Sequence, residues 1–136
     1  MLPMSIDFTI EDNILFIAAG VFYYFNENQI REFFTELADL FPGSEIVFDA
    51  SSPIGIKMAN KMVLKNSGMD VKSMLKWGLK NPNIIQLWDN SIKVIGEYLF
   101  FRDIKKRLNF KSKIYAFISD LLKMQYLVHL KVLTKK

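Results

Sequence analysis

Residues 14–25 constrain this chain most. From Ile14 to Ala19 the sequence is apolar without a break and rich in branched and aromatic side chains; Gly20 then interrupts it. A short unbroken apolar run of this kind reads as a strand buried on both faces. Asn26, a good helix N-cap, follows. A buried strand that ends in a small-residue turn and feeds a helix is the βα unit of an open α/β sheet. Such sheets bind ligands at the carboxyl ends of their strands. A site is therefore expected first at residues 18–24.

The rest of the chain extends this unit. Asn26 with Gln29 resembles a capping box. Ile30, Phe33, Phe34, Leu37, Leu40 and Phe41 fall at helical spacing on one face of a helix over 26–41. Pro42-Gly43 stops it. Residues 44–50 form the next strand, with Glu45-Ile46-Val47-Phe48 at its centre. Strand, helix and strand at this spacing give a parallel pair. Ser52 and Pro53 then open a helix over 53–66, which carries Ile54, Met58, Met62 and Val63. An irregular stretch containing Lys76-Trp77-Gly78-Leu79 follows. Asn81-Pro82 opens a short helix through Trp88. Residues 92–101 read as a strand. A helix over 112–124 places Ile114, Phe117, Ile118, Leu121 and Leu122 on one face, and 126–133 is a closing apolar strand containing His129. Ahead of all this, Ile6, Phe8 and Ile10 alternate with polar residues as in a half-buried strand, and Glu11-Asp12-Asn13 would turn it into a hairpin with the first apolar run. The expected order from residue 14 is β-α-β-α-α-β-α-β, with no internal repeat.

Composition narrows the chemistry. A chain of 136 residues makes one domain at most. With no cysteine there is no thiolate nucleophile, disulfide or thiolate metal site, and one histidine cannot make a His-rich centre. No secretory leader pattern stands at the N-terminus, and no apolar run approaches the roughly 20 residues of a spanning helix. A soluble, cytoplasmic protein is expected. The net charge of +4 is concentrated late, at Lys105, Lys106, Arg107, Lys111, Lys113, Lys135 and Lys136. These lack regular aromatic interleaving, so they read as a solvated face, with neither a nucleic-acid nor a membrane partner.

No self-sufficient site motif is present: no Gly-x-Gly-x-x-Gly, no P-loop, no metal-ligand spacing. His129 reads as a hydrogen-bonded residue of an apolar strand rather than a catalytic one. Asp49, at a strand end, suits either a ligand contact or a turn. Phe25 reads as core, whereas Tyr23 and Tyr24 either line a pocket or pack under the helix, and a buried phenol needs a partner. Trp77 and Trp88 bracket a short helix, as a satellite core or as a substrate lid; the long irregular segment between them and the preceding helix favours the lid.

Several segments together resemble a family. Ile17-Ala18-Ala19-Gly20-Val21-Phe22-Tyr23-Tyr24-Phe25 is similar to the fourth strand and following turn of the leucine carboxyl methyltransferase-like family, which includes the polyketide-synthesis O-methyltransferases. Phe41-Pro42-Gly43-Ser44-Glu45-Ile46-Val47-Phe48-Asp49 resembles its next helix stop and fifth strand. Lys76-Trp77-Gly78-Leu79 with Trp88-Asp89 resembles its substrate-side insertion, and Val128-His129-Leu130 its last strand. The resemblance covers about residues 13–133. It implies the C-terminal half of a Rossmann-like, S-adenosylmethionine-dependent methyltransferase sheet, with strands like the fourth to seventh and the last antiparallel. The first three strands, the Gly-rich cofactor loop and the ribose-holding acid would lie before Met1, and Ala19 stands where the family usually has a glutamate. Residues 1–136 would then be one partial domain, with residues 1–12 as an added segment. By the same resemblance, Ala18, Ala19, Gly20 and Val21 would form the far wall of the cofactor site, and Tyr23, Asp49, Trp77 and Tyr98 the substrate side. The catalytic base is left open. The expected function is a small-molecule or polyketide O-methyltransferase half, inactive alone; the alternative is a non-catalytic interaction or oligomerisation module built on the half-fold. A strand like the fourth is normally central, so here it would be a bare edge. It would pair with residues 5–10, with a second copy of the chain, or with a separate N-terminal half.

Overall fold

The structure is a computed structural model that describes residues 13–67, 75–99, 107 and 109–134. The expected strand at Ile6, Phe8 and Ile10, and its hairpin, lie outside the described residues, as do Phe100, Phe101, Lys105 and Lys106. In chain order the elements are β1 (Leu15–Ala18), a 3-10 turn (Phe22–Tyr24), α1 (Glu27–Leu40), β2 (Glu45–Ala50), α2 (Pro53–Ser67), α3 (Asn83–Trp88), β3 (Ile92–Leu99), α4 (Phe110–Leu121) and β4 (Tyr126–Val132). This is an α/β fold on a four-stranded mixed open sheet of order β1-β2-β4-β3. β1 and β2 are parallel, as the intervening helix requires. β4 runs antiparallel to both its neighbours.

The core lies on one face of the sheet. Ile46, Phe48 and Ala50 of β2 and Tyr126, Val128, Leu130 and Val132 of β4 point to it, and α1 covers it with Ile30, Phe34, Leu37 and Ala38. α3 adds Ile85 and β3 adds Ile92. Aromatic edges lock this layer: the Phe22 ring stands at 85° to Phe48, with centroids 5.1 Å apart. Complete burial of a side chain such as Phe34 contributes about 1.5–3 kcal/mol. α1 begins as its sequence indicates. The Asn26 side chain accepts the Gln29 N–H and the Gln29 side chain accepts the Asn26 N–H, a full capping box. Leu40, expected on the buried face, is exposed.

Three expectations are corrected. β1 is not buried on both faces. It is the edge strand of the described sheet; Phe16 and Ala18 face the core, while Leu15 and Ile17 are 55% and 75% exposed. The second correction concerns α4, which runs two residues earlier at its start and three at its end than the spacing predicts. Asn109 caps it by accepting the Ser112 N–H. Its apolar stripe does not face the protein: Ile114, Phe117, Ile118 and Leu121 are exposed, and Ala116, Ser119 and Asp120 are the buried residues. Hydrogen bonds just past its C-terminus set this rotation, because Ser52 donates through its N–H to Lys123 O and through its hydroxyl to Leu122 O. Third, α2 likewise turns Ile54, Met58 and Met62 outward and buries Ile56. Helical spacing shows which residues share a face, not which surface that face meets.

Among the described residues, no helix is long and apolar enough to cross a membrane.

Candidate functional site

The carboxyl ends of β1 and β2 lie side by side because the strands are parallel. After β1 the chain must turn sharply. Gly20 does so with φ +67, a left-handed conformation that side chains disfavour. Its N–H then points across to the end of β2 and donates to Asp49 Oδ1 at 2.7 Å. The 3-10 turn that follows brings the Tyr23 hydroxyl to Asp49 Oδ2, donating at 3.1 Å. Asp49 thus receives one hydrogen bond on each oxygen and ties the first strand's turn to the second strand's end. Burial first, then the Asp49 charge and hydrogen bond, push the Tyr23 pKa well above the ordinary phenol value. Tyr23 is therefore a neutral donor at ordinary pH.

A cavity of about 450 Å³ opens beside this cluster. Gly20, Tyr23, Tyr24 and Asp49 form its strand-end side, and α2 and α4 face them with Met62 and Tyr115.

Of the residues expected on the substrate side, the structure brings Tyr23 and Asp49 together here. Trp77 is elsewhere. It is 6% exposed and packs edge-on against Phe22 in the core, so it is not a lid. The physical reason is that residues 75–79, irregular in conformation, are fully tethered. Tyr23 O accepts the N–H groups of Lys76 and Trp77, Ser51 O accepts that of Leu79, and the Asn60 side chain bonds both backbone groups of Leu75. Trp88 is half-buried beside it, 6.5 Å between ring centroids, with the Arg31 guanidinium over its face. Tyr98 sits on β3 opposite Leu127, which in turn is opposite Asp49. It shares the sheet face of Asp49 two strands away and lies outside the lining of the cavity.

The four residues expected to wall a cofactor are placed as a short run at the sheet edge. Ala18 is half-buried, and Ala19, Gly20 and Val21 are exposed. None offers a charged or hydrogen-bonding side chain, and the Gly20 N–H is committed to Asp49. By themselves they do not make a site for S-adenosylmethionine, which needs partners for a ribose and an amino-acid group.

His129 lies opposite Val47, on the sheet face away from the core, with its Nε2 2.9 Å from Glu45 Oε1. His129 lies in the middle of the sheet and Glu45 at the amino end of β2, so neither belongs to the carboxyl end where the cavity stands. Among the described residues no group of three or more His, Cys, Asp or Glu side chains gathers to hold a metal.

Sequence reasoning did not find the contribution of Tyr115, Met62 and Met124 to the cavity. They come from α2, from α4 and from the turn after α4, segments far apart in sequence, and no local signal encodes their meeting at one cavity. Compared with known proteins, the chain matches no family model and no curated protein.

Proposed function

We propose that this chain is the substrate-side half of an S-adenosylmethionine-dependent O-methyltransferase, acting on a small-molecule or polyketide-type oxygen, without a complete cofactor site of its own. The observation that carries the reading is the sheet. Its first two strands are parallel and helix-connected, its last runs antiparallel between the second and third, and a cavity stands at the carboxyl ends of the parallel pair. A mixed sheet of this kind supports the resemblance, and the cavity stands where open α/β sheets keep their ligands. S-adenosylmethionine would supply an electrophilic methyl. The residues of this chain would hold the acceptor beside it, since positioning is the main source of rate in such a displacement. By the same resemblance, a Gly-rich loop and a ribose-holding acid would hold the cofactor, while the described residues of this chain would hold the acceptor.

Calorimetric titration of S-adenosylmethionine tests the reading. The chain is titrated alone and mixed with a fragment carrying the first three strands of a polyketide-synthesis O-methyltransferase. Saturable binding in the mixture, absent from either part, supports it. Binding by this chain alone would mean that a second copy or residues 1–12 complete the site. No binding in any arm removes the methyltransferase reading.

One observation favours the second reading, a non-catalytic module that associates with itself. Among the described residues β1 is an edge strand, and its Leu15 and Ile17 stay largely exposed. An apolar edge of this kind pairs with another strand.

A further inference from the structure

The geometry points to an organic cation as the ligand of the cavity at the ends of β1 and β2: an ammonium-bearing molecule with an apolar body, its nitrogen held by Asp49. The inference deepens the proposed function and rests on it only for the ligand being the methyl acceptor; binding itself needs no cofactor.

Charge gives the first argument. Among the described residues lining the cavity, Asp49 is the one carboxylate, and there is no lysine, arginine or histidine. The Tyr23 phenol keeps its proton and adds no charge. Asp49 is half-buried rather than sealed. Each of its oxygens accepts one protein hydrogen bond, and a carboxylate oxygen has room for two. The remaining acceptor capacity suits a donor.

The walls give the second. Tyr24 and Tyr115, 52% and 61% exposed as residues, line the cavity, and Met62 and Met124 add thioethers. Aromatic faces attract ammonium groups, and thioethers are polarizable. A bound carboxylate or phosphate would face the Asp49 charge with no cation among the described lining residues to offset it. Nor does the start of α2 supply an anion cradle at these positions, because the Gly55 and Ile56 N–H groups already donate to Ser52. The volume of about 450 Å³ fits a ring-sized body.

The test uses tyramine as the probe, para-ethylphenol as its uncharged counterpart and para-hydroxyphenylpropionate as its anionic one. Each is titrated into the full chain carrying methyl-labelled methionine, and the Met62 and Met124 methyl resonances are followed. Tyramine is expected to shift both saturably and to bind about tenfold or more tighter than para-ethylphenol, with the propionate bound more weakly than either. Asp49→Asn is expected to erase the tyramine advantage. Equal binding of tyramine and the propionate overturns the inference, as does an advantage that survives Asp49→Asn, or no shift with any probe. Because Asp49→Asn also touches the turn after β1, the comparison of probes on the unaltered chain decides by itself. Tyramine binding with no cofactor binding in the mixture would retain this site and remove the methyltransferase reading. Cofactor binding without tyramine binding would do the reverse.

Discussion

Tyr23 donates its hydroxyl proton to Asp49 across 3.1 Å, and through this bond the turn after β1 is fastened to the end of β2. The same carboxylate accepts the Gly20 N–H on its other oxygen. The two bonds hold the strand-end crevice in shape whether or not a ligand fills it. Tyr23→Phe removes one and leaves a half-buried carboxylate oxygen short of its protein partner. The expected loss is about 1–2 kcal/mol, read as a lower urea midpoint with an unchanged slope. A midpoint unchanged from the parent would mean that water replaces the phenol without cost.

Alkaline pH should destabilise the protein. Tyr23 and Tyr126 both have pKa values raised above the ordinary phenol value, chiefly by burial. The Asp49 charge adds to the effect at Tyr23 and the Glu97 charge at Tyr126. The Tyr126 hydroxyl also donates to Leu79 O inside the core. A raised phenol pKa means that the fold prefers the protonated form. Below about pH 10 both states keep the proton and the contribution is complete; above it the unfolded chain ionises first and stability falls. Urea midpoints should be flat from about pH 7 to pH 9 and decline beyond about pH 10. Tyr126→Phe should start lower and decline less. An equally steep alkaline decline in that variant would contradict the assignment.

The sequence made some of this legible for physical reasons. Asn26, Gln29 and Pro42-Gly43 act on their own neighbours, so the ends of α1 could be read locally. The parallel β1–β2 pair followed from the length of chain between the strands. Asp49 and Tyr23 were legible as strand-end residues, but not that they bond each other, since that depends on the left-handed turn at Gly20. The choice between core and lid for Trp77 was not legible, because an irregular backbone looks loose in sequence while its tethers come from Tyr23, Ser51 and Asn60. Nor did the outward face of α4 show, because its buried side is made of small and polar residues and is fixed by bonds from Ser52.

That inverted helix makes its own prediction. Phe117 is 58% exposed, whereas Ala116 beside it is fully buried. Phe117→Ser should therefore change stability by no more than about 0.5 kcal/mol. Ala116→Leu should cost about 1–3 kcal/mol, since a larger side chain must enter a filled space. Thermal melts of the two variants check this. The opposite ranking would show that α4 packs through its apolar stripe, as its spacing alone suggests.

Gly78 is required by close backbone approach rather than by a turn. A β-carbon there would stand 2.7 Å from Pro53 Cα and 2.8 Å from Pro53 N, and backbone cannot swing aside as a side chain can. Gly78→Ala should cost about 1–3 kcal/mol. Gly20→Ala meets no atom within 4 Å and bears only the strain of φ +67, about 1 kcal/mol. Chemical denaturation of the two variants should rank them in that order. A larger loss at Gly20 would indicate that its turn bears more of the fold than the tether at residue 78.

The edge that β1 forms among the described residues decides between the two readings of function. If two copies associate there, the contact uses the backbone of Leu15–Ala18 and the exposed side chains Leu15 and Ile17. A lysine on an edge strand is a natural device against such pairing. Ile17→Lys should convert a concentration-dependent dimer into a monomer in sedimentation velocity. The thermal midpoint at low concentration should hold, because Ile17 is 75% exposed within one copy. A chain that is monomeric before and after the substitution does not use this edge to join itself. The edge is then left for residues 5–10 or for a separate half, and the mixed cofactor titration becomes the discriminating measurement. A dimer that survives Ile17→Lys would place the association on another surface, and the outward stripe of α4 would be the next to alter.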